Sequence, residues 1–199
     1  MATVEQIIGY WFGTDLDDGA TAKAQASLWW SKNPRADTEI TRRFEIDLTL
    51  AANDGLSHWR STLHGWLALI LLTDQFPRCI YRDSARAFAF DPMALALCHD
   101  GLAAQIDTQL RPIEKVFFYL PLEHSEQLTD QDKSVALFAT LLASVSPQWR
   151  NAFAAYLDFA TRHREIIRSF GRFPHRNAIL GRISTAEEVA YLKTAGSSF

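Results

Sequence analysis

The sequence lacks most of what would mark a chain held together by anything other than a packed core. It has two cysteines in 199 residues, Cys79 and Cys98, which gives neither a disulfide framework nor a Cys-x-x-Cys metal knuckle. Both lie in apolar stretches and are expected to be small buried side chains in a reducing compartment. Nine glycines and seven prolines are too few for a collagen-like or low-complexity chain. The longest apolar run, residues 66–72, is seven residues long, whereas a membrane-spanning helix needs roughly 20. Residues 1–5 lack the basic and then long apolar pattern of a signal peptide. Neither sign of charge dominates, with 20 basic against 23 acidic residues and a net charge of −3, and a nucleic-acid-binding domain usually carries a clear basic excess. There is no G-x-S-x-G elbow, phosphate-binding loop or dinucleotide fingerprint. The expectation is a cytoplasmic protein with no nucleic-acid, membrane or cofactor partner.

What is present is 48% hydrophobic and 12% aromatic, enough to bury a real core over this length, and it is punctuated like a helical protein. Thr3-Val4-Glu5-Gln6 reads as a capping box and Gly13 as a stop. Residues 22–30 follow as a second helix, broken at Asn33-Pro34. Ile40, Phe44, Leu48 and Ala51 then recur at spacing four, one face of a third. Residues 65–75 are apolar all round and rich in Leu and Ala, which predicts a central buried helix closed by Pro77. Asp91-Pro92 reads as an N-cap followed by proline. Arg111-Pro112 opens a helix to Leu120 that Pro121 interrupts, and Thr129 caps one over residues 134–145. Ser146-Pro147 starts the longest, residues 148–170, stopped by Gly171. Ser184-Thr185-Ala186-Glu187 reads as a final capping box. No segment alternates with period two for long enough to make a strand. The sequence therefore predicts a single all-α domain over residues 1–199 with eight or nine helices.

Three segments carry polar groups that a plain helical bundle would not need. In Thr73-Asp74-Gln75-Phe76-Pro77-Arg78, charged residues follow seven apolar ones, and Asp74 and Arg78 stand one turn apart. In Pro121-Leu122-Glu123-His124-Ser125-Glu126, two carboxylates at spacing three flank an imidazole. These are acid–base groups as well as metal-ligand types. A His-x-x-x-His pair is missing and no cysteine assists, so no metal site is expected. Between Arg162 and Arg182 lie six arginines, two histidines and one acid, Glu165. This block carries +5, so the rest of the chain carries −8. Its turn, Phe170-Gly171-Arg172-Phe173-Pro174-His175-Arg176-Asn177, gathers groups suited to planar anions. His163 reads as a core histidine with one hydrogen bond. His175 is the better candidate for proton transfer, since an unperturbed imidazole titrates near pH 6.5. His58, His64 and His99 have no polar companions in sequence.

Taken in order, the segments at residues 72–78, 86–89 (Arg-Ala-Phe-Ala), 119–126 and 170–177, with Tyr10-Trp11-Phe12-Gly13 and Trp29-Trp30 at the front, resemble the bacterial uncharacterised family known as domain of unknown function nine-two-four. The resemblance covers essentially the whole chain. It implies an all-α, tetratricopeptide-like fold of stacked antiparallel helix pairs, and it implies no activity. Cys79 stands where a polar residue such as asparagine would be expected.

Two functional readings follow. In the first, the chain binds a small anionic molecule, a carboxylate or phosphate, or an acidic peptide segment. Asp74, Gln75, Arg78, Arg172, Arg176 and Asn177 then form the binding set. In the second it is a small-molecule hydrolase or isomerase, with Glu123, His124, Glu126 and His175 as acid and base and arginines anchoring the substrate. Against both stands a buried ion-pair network with no ligand.

Overall fold

The structure is a computed structural model that describes residues 1–197. Among the described residues it is all-helical, with nine helices and no strand. In chain order these are α1 (Val4–Phe12), α2 (Asp18–Trp30), α3 (Pro34–Ala52), α4, α5 (Asp91–Ala103), α6 (Pro112–Glu123), α7 (Leu128–Ser144), α8 (Arg150–Phe170) and α9 (Ala186–Tyr191). Helix α4 is continuous but not uniform. It runs as α-helix over Leu63–Ile70, widens to a π turn over Leu71–Gln75, and returns to α-helix over Phe76–Ile80.

The all-round apolar pattern of α4 has the expected outcome, since it sits at the centre and packs against α1, α3, α5 and α6. Its entry is tight: a Cβ on Gly65 would lie 2.0 Å from the Trp59 carbonyl oxygen, so only glycine allows the preceding turn to close there. Around α4 the aromatic residues interlock. The Trp29 ring meets Phe117 edge-on at 4.6 Å, Trp11 meets Phe117 at 5.4 Å, and the Trp29 indole N–H donates to the Trp11 carbonyl at 3.0 Å. Helices α6, α7 and α8 pack each against the next, as short connections require of neighbours. A second, smaller apolar cluster of Ile166, Ile167 and Phe173, with Phe170 and Tyr191 against it, stands apart from the main core. None of the helices is long and apolar enough to cross a membrane, among the described residues.

Several boundaries differ from expectation, each for a local reason. Pro77 does not close α4, and the helix continues to Ile80. Proline has no amide to donate back and needs room beside the preceding turn. The π turn supplies that room, with the Phe76 N–H reaching the Leu71 carbonyl. Pro121 likewise sits inside α6, which runs on to Glu123. Thr129 is not the cap of α7, because Gln127 holds that position and the helix begins at Leu128. The last capping box is shifted by one residue, to Thr185 and Glu188. At the start of α5, Phe90 occupies the cap position and Asp91 is the first helical residue, so the Asp91 carboxylate is not spent on capping.

Candidate functional site

The π turn is what builds the site. Its extra residue per turn rotates the side chains that follow relative to a regular helix, and such widened turns recur at functional positions. Here it carries Thr73, Asp74 and Gln75 on the most buried element of the molecule. The Thr73 hydroxyl is returned to the helix, donating to the Leu69 carbonyl at 2.8 Å. Asp74 has no solvent exposure, and its Oδ1 lies 2.7 Å from Nδ1 of His124, the residue that caps α6. Its other oxygen accepts from the Gln75 amide. Arg78, one turn on, stands 3.7 Å away.

Burial alone would raise the Asp74 carboxyl, but His124 and Arg78 beside it hold it down at about 2. It is therefore an anion, and the Nδ1 facing it carries the imidazole hydrogen. Burial, and then the charge of Arg78, push the His124 pKa below its ordinary value against the pull of Asp74. His124 is thus neutral near pH 7, with its lone pair on Nε2, which meets no hydrogen-bonding partner among the described residues.

Two guanidinium groups complete the centre. Arg78 donates to both oxygens of Asp91 at 2.9 and 3.3 Å and to the Ala87 carbonyl at 3.1 Å. Arg176, in the 3₁₀ turn Pro174–Arg176, reaches the same Asp91 at 3.4 Å and the His124 carbonyl at 3.2 Å. Its guanidinium lies 4.8 Å from the Phe88 ring centre and 4.4 Å from that of Phe173, a pair of cation–π contacts. The residue is 6% exposed and its Nε is buried without a partner. Burial and the nearby Arg78 lower its pKa to about 10.

Beneath this layer lies a second pair. Glu123 Oε1 is 3.1 Å from His163 Nδ1, which is also 2.9 Å from the Phe159 carbonyl. That carbonyl can only accept, so Nδ1 carries the hydrogen. Burial, together with the Asp74 charge, raises Glu123 to about 8, and burial lowers His163 to about 3. The pair is neutral on both sides at pH 7. His175 lies 5.6 Å from the Phe173 ring, and burial and Arg176 lower it to about 4. It does not cycle near neutrality as its unperturbed value suggested.

The fold thus gathers Asp74, Gln75, Arg78, His124 and Arg176 at one centre, with Glu123 on the layer below and His175 at the margin. It takes three other residues elsewhere. Glu126 accepts from both terminal nitrogens of Arg182 at 2.7 and 3.0 Å and from the Phe173 N–H at 2.8 Å. Arg172 is bound at 2.6 and 2.8 Å to Glu188. The Asn177 amide donates to the same Glu188 at 3.2 Å and to Ser184 at 3.0 Å. The remaining arginines of the basic block also meet acids: Arg162 meets Asp158, Arg164 meets Asp132, and Arg168 meets Glu165.

Sequence reasoning missed Asp91, the carboxylate that both central arginines share, because an acid before a helical proline reads as a cap. It also missed Phe88 and Phe173 as the rings around Arg176. Gln131 was missed as well. Its amide donates to the carbonyls of Glu123 and Ser125 at 2.6 and 2.7 Å and so fixes the backbone on either side of His124. Nor are His64 and His99 without companions, since they lie 3.3 Å from Glu114 and 2.9 Å from Asp130. Among the described residues, no three His, Cys, Asp or Glu side chains stand where they could hold a metal ion.

The chain belongs to the family described as "Bacterial protein of unknown function (DUF924)", which it matches over residues 7–196. It is similar in structure to a protein of unknown function, ATU0120, from Agrobacterium tumefaciens. The two are 33% identical and superpose with a TM-score of 0.81, covering 96% of each chain. No curated protein matches.

Proposed function

We propose that the chain binds a small anion, a carboxylate or a phosphate, at the centre formed by His124, Arg78 and Arg176. The observation that carries this reading is that two largely buried guanidinium groups converge on one carboxylate, Asp91, at 2.9 and 3.4 Å. Asp91 meets Arg78 at charge-assisted hydrogen-bond distance and meets Arg176 only at the longer one. Arg176 is therefore the under-matched cation of the set, with a buried Nε–H still to satisfy. A planar or tetrahedral oxyanion is the group a guanidinium recognises best. Of the five other arginines of the basic block, Arg162, Arg164 and Arg168 meet acids in solvent-accessible positions and Arg172 and Arg182 are held at 2.6 and 2.7 Å by Glu188 and Glu126, which leaves Arg176 as the buried guanidinium whose acid contact is long.

His124 supports the same reading and adds a chemical consequence. With the Asp74 and Asp91 carboxylates set against the Arg78 and Arg176 guanidinium groups, the centre is close to balanced in charge. An incoming anion makes it negative and favours a proton on Nε2 of His124, so binding takes up a proton. A second reading rests on that same atom. An imidazole oriented by a buried carboxylate, with Nε2 unengaged, is equipped for acid–base chemistry on whatever the arginines anchor.

The test is thermal melting of the purified protein against phosphorylated and carboxylated metabolites. A ligand at a hundred times its Kd adds about 2.7 kcal/mol, a midpoint shift of roughly 5–11 °C for a chain of this size. The reading requires a selective shift that Arg176→Ala abolishes. A flat panel, or the same shift in Arg176→Ala, contradicts it and leaves the ion-pair network as the account of these residues.

A further inference from the structure

The chain beyond Gly171 is organised as a piece of its own. Gly171 ends α8 at φ +67°. A Cβ there would meet nothing within 4 Å, so the position calls for glycine through its left-handed backbone and not through crowding. Past it, Arg172, Asn177 and the Thr185 N–H all converge on the Glu188 carboxylate, at 2.6–2.8, 3.2 and 2.7 Å. Glu188 is 2% exposed. These contacts fold residues 172–188 onto themselves around one buried carboxylate. Their apolar anchor, Phe173, packs in the small cluster with Ile166 and Ile167 and not in the main core.

This piece reaches the candidate site through Arg176, and its contacts there are the long ones, 3.4 Å to Asp91 and 3.2 Å to the His124 carbonyl. Its short, charge-assisted contacts to the helical body are made at Glu126. That carboxylate takes both terminal nitrogens of Arg182 and the Phe173 N–H, all between 2.7 and 3.0 Å. The shortest polar grip is therefore beside the site, and over the site Arg176 is held by the Phe88 ring and by two longer hydrogen bonds.

We propose that residues 172–188 form a latch over the Asp74–His124 pair, which swings about Gly171 and is held shut by Glu126. When the Glu126 contacts release, Arg176 leaves Phe88, Asp91 and the His124 carbonyl, carrying Phe173 with it, and the Asp74–His124 pair is opened further to solvent. When the latch returns, Arg176 brings its guanidinium onto whatever anion has entered, in exchange for the long contact to Asp91. Only what the latch admits rests on the anion-binding reading. The motion is a property of the unliganded chain.

The test uses the full chain without ligand, in wild type and in Arg182→Gln, with Glu126→Gln releasing the same grip from the other side. Arg176 is labelled with phenylglyoxal and mapped by mass spectrometry. Exchange of the Phe173 amide, whose acceptor is Glu126, is followed by NMR, with the amides of α4 and α6 reporting global unfolding. In wild type, Arg176 labelling and Phe173 exchange are expected to proceed faster than global unfolding. In either variant both are expected to rise at least tenfold while α4 and α6 amides stay unchanged. If Arg176 reacts, and Phe173 exchanges, only as fast as the α4 and α6 amides in wild type and variants, the segment is a fixed part of the core and the latch is wrong. A moving latch with a flat melting panel sinks the anion reading alone. An anion-dependent shift in a chain whose latch never opens sinks the latch alone.

Discussion

Asp74 and His124, fifty positions apart in the chain, hold each other at 2.7 Å, one from the widened turn of α4 and the other from the cap of α6. The carboxylate is wholly buried and ionised, and it dictates which imidazole nitrogen carries the hydrogen. Asp74 is also the buried anion 3.7 Å from Arg78, and removing one partner of a buried ion pair costs about 3–5 kcal/mol, because the charge left behind loses its compensation. Asp74→Asn is expected to destabilise the protein by that order in urea unfolding. It should also lower the His124 pKa further in an NMR titration, since Asp74 is the group that raises it. A loss under about 1 kcal/mol with an unmoved His124 titration would show that the pair is not coupled as described.

The buried Glu123–His163 pair gives the stability a maximum in pH. Glu123 is raised from 4.5 to about 8 on folding. Between pH 6.5 and 8 the folded protein keeps a proton there that the unfolded chain has released, so stability falls as pH rises. His163 and His175 are lowered from 6.5 to about 3 and about 4. Below pH 6.5 the unfolded chain binds protons that the folded protein refuses, so stability falls as pH drops. The maximum is expected near pH 6.5. The alkaline limb approaches at most one proton, about 1.4 kcal/mol per pH unit. Urea midpoints across pH 5–9 check this, and Glu123→Gln should flatten the alkaline limb and steepen the acid limb, because above pH 4.5 the proton on folded Glu123 offsets one of the two that His163 and His175 refuse. An alkaline limb unchanged in Glu123→Gln would contradict the assignment.

Gln131 sets the backbone that presents His124. Its amide feeds the carbonyls of Glu123 and Ser125 from a side chain with no exposure. Leaving buried polar groups without partners costs about 1–3 kcal/mol each. Gln131→Leu is expected to lose a few kcal/mol in urea unfolding and to broaden the His124 imidazole signals in NMR. Loss of stability with a sharp, unshifted His124 would reduce Gln131 to a packing residue.

The fold was largely legible in the sequence, and the site only in part. Gly13, Asn33-Pro34 and Gly171 announced helix ends because caps and breakers act locally, and the all-round apolar run of residues 65–75 announced the central helix. The errors fall where tertiary packing overrides a local signal. Pro77 and Pro121 read as stops but sit inside helices that the core holds together. The three polar segments were visible as polarity that a bundle does not need, and Asp74, His124 and Arg176 do meet. Which arginine stands over the centre was not visible. Six lie in one block, and the acids that claim the others, such as Glu188 for Arg172 and Glu126 for Arg182, come from positions whose pairing only the fold decides. Asp91 was hidden for the opposite reason, since its local context offered a sufficient explanation.

Arg176 between Phe88 and Phe173 is a test of shape as well as charge. A lysine keeps the charge but cannot present a planar face to two rings. Arg176→Lys is expected to weaken anion affinity by at least tenfold in calorimetric titration with the anion that gives the largest melting shift. Affinity retained within twofold would mean that charge alone is read there.

The most direct measurement is the NMR spectrum of the histidine side chains, labelled with ¹⁵N, during titration with inorganic phosphate at pH 6.5. The account predicts a saturable change at His124 toward the imidazolium form, with exposed His58 unmoved and the response absent in Arg176→Ala. An unchanged His124 at saturating phosphate, or a drift shared by His58 and retained in Arg176→Ala, would contradict an anion site at the Asp74–His124–Arg176 centre.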